Sequence, residues 1–287
     1  MGRRISIIGG DLRQITVADF LAKDGFNVSV FGFDRKHIPK NVSAAENISG
    51  ALSDSRTVIL GIAPLDDKMN IKTICPSDNI PLSSLLSFAP PGCLIIGGKL
   101  PETLTGLCFG AGIGCIDYAG REDFAVLNAV PTAEGALAIA MDEMPFTLHN
   151  CSCLVTGFGR IGKILARDLH QLGAKVTCSA RKSGDLAWIK SLGYNAVHTA
   201  DLSDVVHNFD IIFNTIPTCI FTSALLRNIR TGTLIIDLAS KPGGVDFNAA
   251  TQLGIKAIHA LSLPGKCAPV TAGKIIKDTI VNILNEI

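Results

Sequence analysis

The stretch Cys153-Leu154-Val155-Thr156-Gly157-Phe158-Gly159-Arg160-Ile161-Gly162 decides the fold. An apolar run of strand character enters a turn with glycines at 157, 159 and 162, and a helical pattern over Ile161–Leu172 leaves it. Each glycine answers a separate demand. Gly157 permits the tight turn, Gly159 leaves room for the backbone to approach a pyrophosphate, and Gly162 lets helix and strand pack closely. The free N–H groups and partial positive charge of the helix start then face the phosphates. The bland alternative is a glycine turn with no ligand. Gly157, Phe158, Gly159, Arg160, Ile161 and Gly162 are therefore candidate cofactor contacts.

Downstream of this turn, strand-like and helix-like segments alternate to His259. Upstream the same rhythm runs from the strand Ile5–Ile8 through Val28–Phe31, Val58–Ile62, Leu94–Ile96 and Ile113–Asp117. The stretch from Asp66 to Ser87 reads as a loop with a short helix. The two halves form a degenerate repeat: Gly9 precedes Gly25, and Gly157 precedes Gly173, by the same sixteen residues. The predicted fold is α/β, two doubly wound domains with parallel sheets and a cleft between them. Residues 1–127 form the substrate-side domain and 128–270 the nucleotide domain, entered by a linker helix over 131–144. Thr132 or Asn128 would cap that helix. A last helix over 271–287, apolar at Ile275, Ile276, Ile280, Val281 and Leu284, packs back on the first domain.

Composition narrows the function. Of 287 residues, 47% are hydrophobic and 18% charged, which excludes a disordered chain. A net charge of +1 without a dense Lys/Arg run speaks against nucleic acid. Mean hydropathy is high at +0.37, yet the apolar runs are short, far from the ~20 residues of a bilayer span, and suit strands buried on both faces. Met1 to Ile8 leads into a strand and is not a secretory leader. The nine cysteines include no CxxC pair. Cys151 and Cys153, beside His149, lack a second ligand pair at zinc spacing, so reduced thiols in a cytoplasmic protein are expected and no metal.

The end of the second strand selects the nucleotide. An NAD site places a carboxylate about 20 residues beyond the glycines. Here Ser179-Ala180-Arg181-Lys182-Ser183 follows, with no acid before Asp185. Ser179 can bond a 2′-phosphate, with Ala180 beside it, and Arg181 can pair with the phosphate. NADP(H) is favoured over NAD(H); the alternative is a merely solvated basic turn. Thr215, Ile216 and Pro217, Asp237 and Ala239, and Pro264 end later strands and complete the cofactor site. His198, ending a short strand, reads as a structural histidine, with a cofactor contact as the alternative.

The first half breaks the glycine rule. Asp11 stands where Gly159 stands in the repeat and Gln14 where Gly162 stands. Side chains there obstruct a pyrophosphate, so this turn predicts a substrate site. Asp11 is the candidate base, Arg13 a bidentate carboxylate clamp and Lys241 a second cation, with Gly10, Gln14, Asn128, Thr132 and Ser240 as further contacts. Lys99 is a weaker candidate cation. The bland alternative is a helix-capping Asp with an exposed Arg.

Gly9 to Gln14, Asn128 to Gly135, Gly157 to Gly162, Asn214 to Pro217, Asp237 to Gly244, and Leu263 to Gly265 with Ala268-Pro269 and Thr271 to Gly273 together resemble the dipicolinate synthase A-subunit family of spore-forming bacteria. The resemblance runs nearly end to end. It implies a two-domain dehydrogenase similar in layout to the 2-hydroxyacid and alanine dehydrogenases. It also implies oxidation of a dihydrodipicolinate-type ring to pyridine-2,6-dicarboxylate with NADP, a flavoprotein-like partner (the synthase's B-subunit) and a role in sporulation. A homo-oligomer is expected as well, and no membrane. The alternatives are a dehydrogenase of another small carboxylate and a non-catalytic NADP(H)-binding regulator.

Overall fold

The computed structural model of the chain describes residues 4–75 and 79–287. The lead-in Met1 to Arg3, read from the sequence as no secretory leader, lies outside the described residues. The chain divides into two compact units, Met1–Asn128 with Ala268–Ile287, and Ala129–Cys267.

The first unit runs β1 (Arg4–Ile8), α1 (Leu12–Lys23), β2 (Asn27–Phe31), β3 (Ser43–Ala44), α2 (Ile48–Leu52), β4 (Thr57–Ile62), β5 (Asn70–Ile71), β6 (Ile80–Pro81), α3 (Leu82–Phe88), β7 (Leu94–Gly98), α4 (Glu102–Gly110) and β8 (Gly114–Asp117). Six strands pair in parallel in the order β3-β2-β1-β4-β7-β8. The segment expected as loop also carries the small antiparallel pair β5–β6.

α5 (Glu122–Glu143) leads into the second unit. There follow β9 (Ser152–Thr156), α6 (Arg160–Gln171), β10 (Lys175–Ala180), α7 (Ser183–Ser191), β11 (Asn195–His198), α8 (Leu202–Val205), β12 (Ile211–Asn214), α9 (Ser223–Leu226), β13 (Leu234–Asp237), α10 (Phe247–Gln252), β14 (Lys256–His259) and α11 (Leu263–Cys267). The second sheet repeats the first, parallel in the order β11-β10-β9-β12-β13-β14. In both sheets the chain reverses direction of progression beside the first strand. In open α/β sheets such a reversal is where ligands bind, at the carboxyl ends of the strands, which here lead into α1 and α6.

Both faces of each sheet are covered, which explains the short all-apolar strands. In the first unit, Ile5, Ile7 and Ile59 meet Val17 and Leu21 of α1, while Ile8, Leu60 and Ile95 meet Leu52, Leu85 and Leu104 on the other side. The final helix, α12 (Pro269–Glu286), belongs to this unit and buries Ile275, Ile276, Ile280, Ile283 and Leu284 against α1. Five such side chains contribute on the order of 10 kcal/mol before the entropy of ordering the helix is subtracted.

The linker helix differs from expectation. It begins nine residues before Pro131, at Glu122, and carries Pro131 in its interior. A proline removes one backbone hydrogen bond and costs roughly 3 kcal/mol in a helix. Burial of Phe124, Ala129, Ala133, Ala136 and Ala140 outweighs that cost, and Glu122 and Asp123 favour the first turn. Asn128 and Thr132 consequently lie within the helix and not at its start. Among the described residues α5 alone is long and apolar enough to cross a membrane, and half of that window is buried in the protein.

Candidate active site

The turn ahead of α6 fits a pyrophosphate. Gly157 adopts φ +90°, and a Cβ there would lie 2.5 Å from Thr215 Oγ1. At Gly162 a Cβ would lie 2.0 Å from the Gly157 carbonyl oxygen, so only glycine lets the helix approach. Gly159, exposed, has nothing within 4 Å of a built Cβ. It is also the N-cap of α6 and offers no side chain to the helix start. An uncapped helix end over open space is a site for an anionic group. Arg160 is exposed, Ile161 half-buried and Phe158 buried beneath the Lys163 ammonium, 5.6 Å from its ring.

At the end of β10, Ser179 is fully buried on a strand covered on both faces, and its hydroxyl has no hydrogen-bond partner among the described residues. Ala180 is buried too. Arg181, Lys182 and Ser183 are exposed, so the hydroxyl available at this turn is that of Ser183. His198 Nε2 lies 3.2 Å from the Arg181 carbonyl, and its Nδ1 accepts the Ala200 N–H.

Asp237 ends β13. Its carboxylate is wholly buried, accepting from Asn214 Nδ2 at 2.7 Å, Ala239 N at 3.1 Å and Gly244 N at 2.8 Å. Thr156 Oγ1 donates to Asn214 Oδ1 at 2.7 Å. His259 Nε2 lies 2.9 Å from the Ala239 carbonyl and its ring stacks on Phe247. These groups join the ends of β9, β12, β13 and β14 and shape the loop Ala239–Gly244, with the Asp237 carboxylate bonded on both oxygens to the protein itself. Thr215 likewise donates to the Thr156 carbonyl at 2.8 Å, and Pro264 and Ala239 are buried. Ile216 is half-buried, whereas Pro217, Ser240 and Lys241 are exposed.

The turn ahead of α1 is closed by the chain itself. The Gly10 N–H donates to the Lys72 carbonyl at 2.7 Å, and a Cβ at Gly9 would lie 2.5 Å from the same oxygen. Gln14 fills the space that Gly162 leaves in the second unit and accepts the Asp11 N–H at 3.0 Å. Asp11 caps the helix by accepting the Arg13 N–H at 2.9 Å. Its two oxygens also take the Arg13 guanidinium, Nε at 2.9 Å and Nη2 at 2.6 Å. Burial, with only 8% of Arg13 exposed, opposes its charge, but the Asp11 hydrogen bonds and charge hold the arginine more firmly protonated than usual. Asp11 is thus engaged at both oxygens, which removes the ground for treating it as a free base, and Arg13 is neither exposed nor idle.

Sequence reasoning missed Tyr118. It is fully buried after β8, with its ring against Gly98 at the end of β7 and edge-on to Phe124 at 5.2 Å. Burial pushes its phenol up, and the charges of Arg13 and Asp11 both act on it. A lone tyrosine after a short strand carries no sequence signal. Asp117 beside it accepts the Lys99, Leu100 and Ala119 N–H groups and holds Lys99 in the left-handed region at φ +51°. Among the described residues no three His, Cys, Asp or Glu side chains converge as for a metal ion.

Two parallel six-stranded sheets, the second with an open glycine turn ahead of an uncapped helix, are the architecture of the doubly wound dinucleotide-binding class. Residues 132–240 match the D-isomer specific 2-hydroxyacid dehydrogenase NAD binding domain, and residues 4–119 match the N-terminal domain of the dipicolinate synthase A-subunit. The chain belongs to the dipicolinate synthase A-subunit family: it is 33% identical to the A-subunit of dipicolinate synthase from Bacillus subtilis (strain 168), across all of this chain and 97% of that one. The crystal structure of the dipicolinate synthase A-subunit from Bacillus halodurans superposes with a TM-score of 0.92 at 32% identity, covering 99% of this chain and 98% of the other. In fold alone the chain is also similar to a transhydrogenase from Sinorhizobium meliloti, TM-score 0.72 at 15% identity, over 97% of this chain and 93% of that one.

Proposed function

We propose that this chain is the NADP(H)-dependent oxidoreductase that converts a dihydrodipicolinate-type ring to pyridine-2,6-dicarboxylate in sporulation, working with the flavoprotein-like B-subunit of the synthase. The observation that carries the cofactor choice is the exposed Arg181-Lys182-Ser183 turn at the end of β10, where the first acid, Asp185, already lies in the first turn of α7. A guanidinium there favours a 2′-phosphate, and no carboxylate awaits a free ribose hydroxyl.

A nicotinamide dinucleotide held at Gly157 to Gly162 supplies the hydride acceptor. The chain's own residues orient the ring and neutralise its charge. Each unit offers one cation beside polar groups, Arg13 with Gly10 and Gln14 in the first and Lys241 with Ser240 in the second, and the substrate carries two carboxylates. Asn128 and Thr132 of α5 are further proposed contacts. The hydride leaves a ring carbon, one proton is lost from the ring to solvent, and aromatisation drives the step. The eight cysteines from Cys93 to Cys267 are free thiols, which supports a reducing, cytoplasmic compartment. A homo-oligomer is part of the same proposal.

The test is absorbance at 340 nm with protein, NADP and the condensation product of pyruvate and aspartate semialdehyde, with and without the flavoprotein-like partner. NADPH should accumulate. A protein that binds NADP tightly and yields no NADPH in any combination is instead a binding regulator.

A further inference from the structure

The first unit's turn has lost the features of a nucleotide site and kept those of an anion site. We infer that the start of α1 together with Arg13 binds a single carboxylate, and that Asp11 occupies this place as an internal stand-in until a substrate carboxylate displaces it. This rests on the dicarboxylate reading above and assigns Asp11 a competitor's role in place of a base's.

Four observations converge. First, the Asp11 carboxylate already behaves as a bound anion: it caps a twelve-residue helix and takes Arg13 through two guanidinium nitrogens. Second, the space suits one carboxylate and no pyrophosphate, because the Lys72 carbonyl holds the Gly10 N–H and Gln14 sits where the repeat carries glycine. Third, two buried groups at this end of the unit lack partners among the described residues, the Gln14 Nε2 amide and the Tyr118 hydroxyl. Gln14 is wholly buried and its Oε1 is fixed on the Asp11 N–H, so the unpaired NH₂ is carried at the same turn. Buried donors are seldom left unpaired, and a carboxylate oxygen bound at this turn would give the Gln14 amide an acceptor. Fourth, the two partners differ in freedom. The Asp11 side chain is 40% exposed and that of Arg13 only 10%. The Arg13 backbone lies under α12, where a Cβ at Gly273 would be 2.7 Å from its carbonyl oxygen. Asp11 can swing into solvent while Arg13 stays.

A tethered carboxylate competes at an effective concentration in the millimolar range or above. An incoming acid wins only with additional contacts, so the arrangement discriminates against monocarboxylates and favours a ligand whose second carboxylate is also held. It also keeps a buried guanidinium paired when no ligand is present.

The experiment titrates the full chain with pyridine-2,6-dicarboxylate and, separately, with sulfate by calorimetry, comparing wild type, Asp11→Asn and Asp11→Ser. Serine preserves the cap should the asparagine variant fold poorly. Both variants should bind both anions about tenfold to a hundredfold more tightly, and adding Arg13→Gln should remove the gain. Their melting temperatures should fall without anion and rise more steeply than wild type as sulfate is added. Unchanged or weaker binding of both anions, with native circular dichroism, overturns the inference. Tighter sulfate with no gain for the pyridine dicarboxylate keeps the anion site and refutes the dicarboxylate reading.

Discussion

Replacing Gly159 with alanine should separate cofactor binding from folding. The residue sits at φ −83° and ψ −160°, which alanine adopts without strain, and its added methyl meets nothing within 4 Å. Alanine is a poorer N-cap than glycine by about 1 kcal/mol. It also restricts the unfolded chain, a gain of roughly 0.4–1 kcal/mol. The two nearly cancel, so the melting temperature should stay within about 4 °C of wild type. A dinucleotide meets a different situation, because the methyl fills the space through which its pyrophosphate approaches the α6 N–H groups. Losing even one charge-assisted hydrogen bond, worth about 1.5–3 kcal/mol, weakens binding roughly tenfold to a hundredfold. Calorimetric titration with NADP measures the affinity and scanning calorimetry the stability. Gly162→Ala is the internal contrast: its methyl would lie 2.0 Å from a backbone oxygen, so that variant should lose stability, by roughly 1–3 kcal/mol, before any ligand is added. A Gly159→Ala protein that binds NADP like wild type would refute the assignment of this turn to the pyrophosphate.

Other predictions test separate parts of the molecule. Arg181→Ala should weaken NADP about tenfold to a hundredfold and leave NAD unchanged in the same titration; an equal fall for both means that Arg181 does not read the phosphate. Gly273→Ala drives a methyl to 2.5 Å from Thr16 Cβ and 2.7 Å from a backbone oxygen, and should cost roughly 1–3 kcal/mol in urea unfolding by prising α12 from α1. Arg121 holds Asp123 and Glu286 below the usual carboxylate range through hydrogen bonds. Because these folded values are depressed, their stabilisation is present above the unfolded values of about 4 and is lost as pH falls through the folded ones. Glu286→Gln should therefore flatten the acid side of the stability profile below about pH 4, and an unaltered profile would show that this ion pair does not anchor α12.

Strand and helix alternation was legible because a parallel sheet covered on both faces forces short apolar runs, and the resulting order of six parallel strands occurs in each unit. Local rules failed where burial overrode them. Pro131 read as a helix start, yet the helix passes through it because its neighbours are buried. Ser179 and Asp237 read as ligand contacts from their places at strand ends; both are buried in the second unit, Ser179 with its hydroxyl unpartnered among the described residues and Asp237 inside a hydrogen-bonded group. The short β5–β6 pair lay in a polar stretch without periodicity, and its role in closing the Gly9-Gly10 turn had no trace in composition.

The amino-acid sequence by itself determined the α/β architecture, the repeat, and the contrast between one turn that keeps its glycines and one that lost them. These follow from periodicity and turn stereochemistry, which act between residues close in the chain. Tertiary structure alone decided which polar groups are spent on the protein and which face a ligand. Asn214 finds Asp237 from 23 residues away and Thr156 meets Asn214 from 58. Lys72 reaches Gly10 across four strands' worth of chain, and Tyr118 comes to lie near Arg13 from the far end of the unit. Such pairings are set by how sheets and helices pack, and spacing along the chain does not encode them.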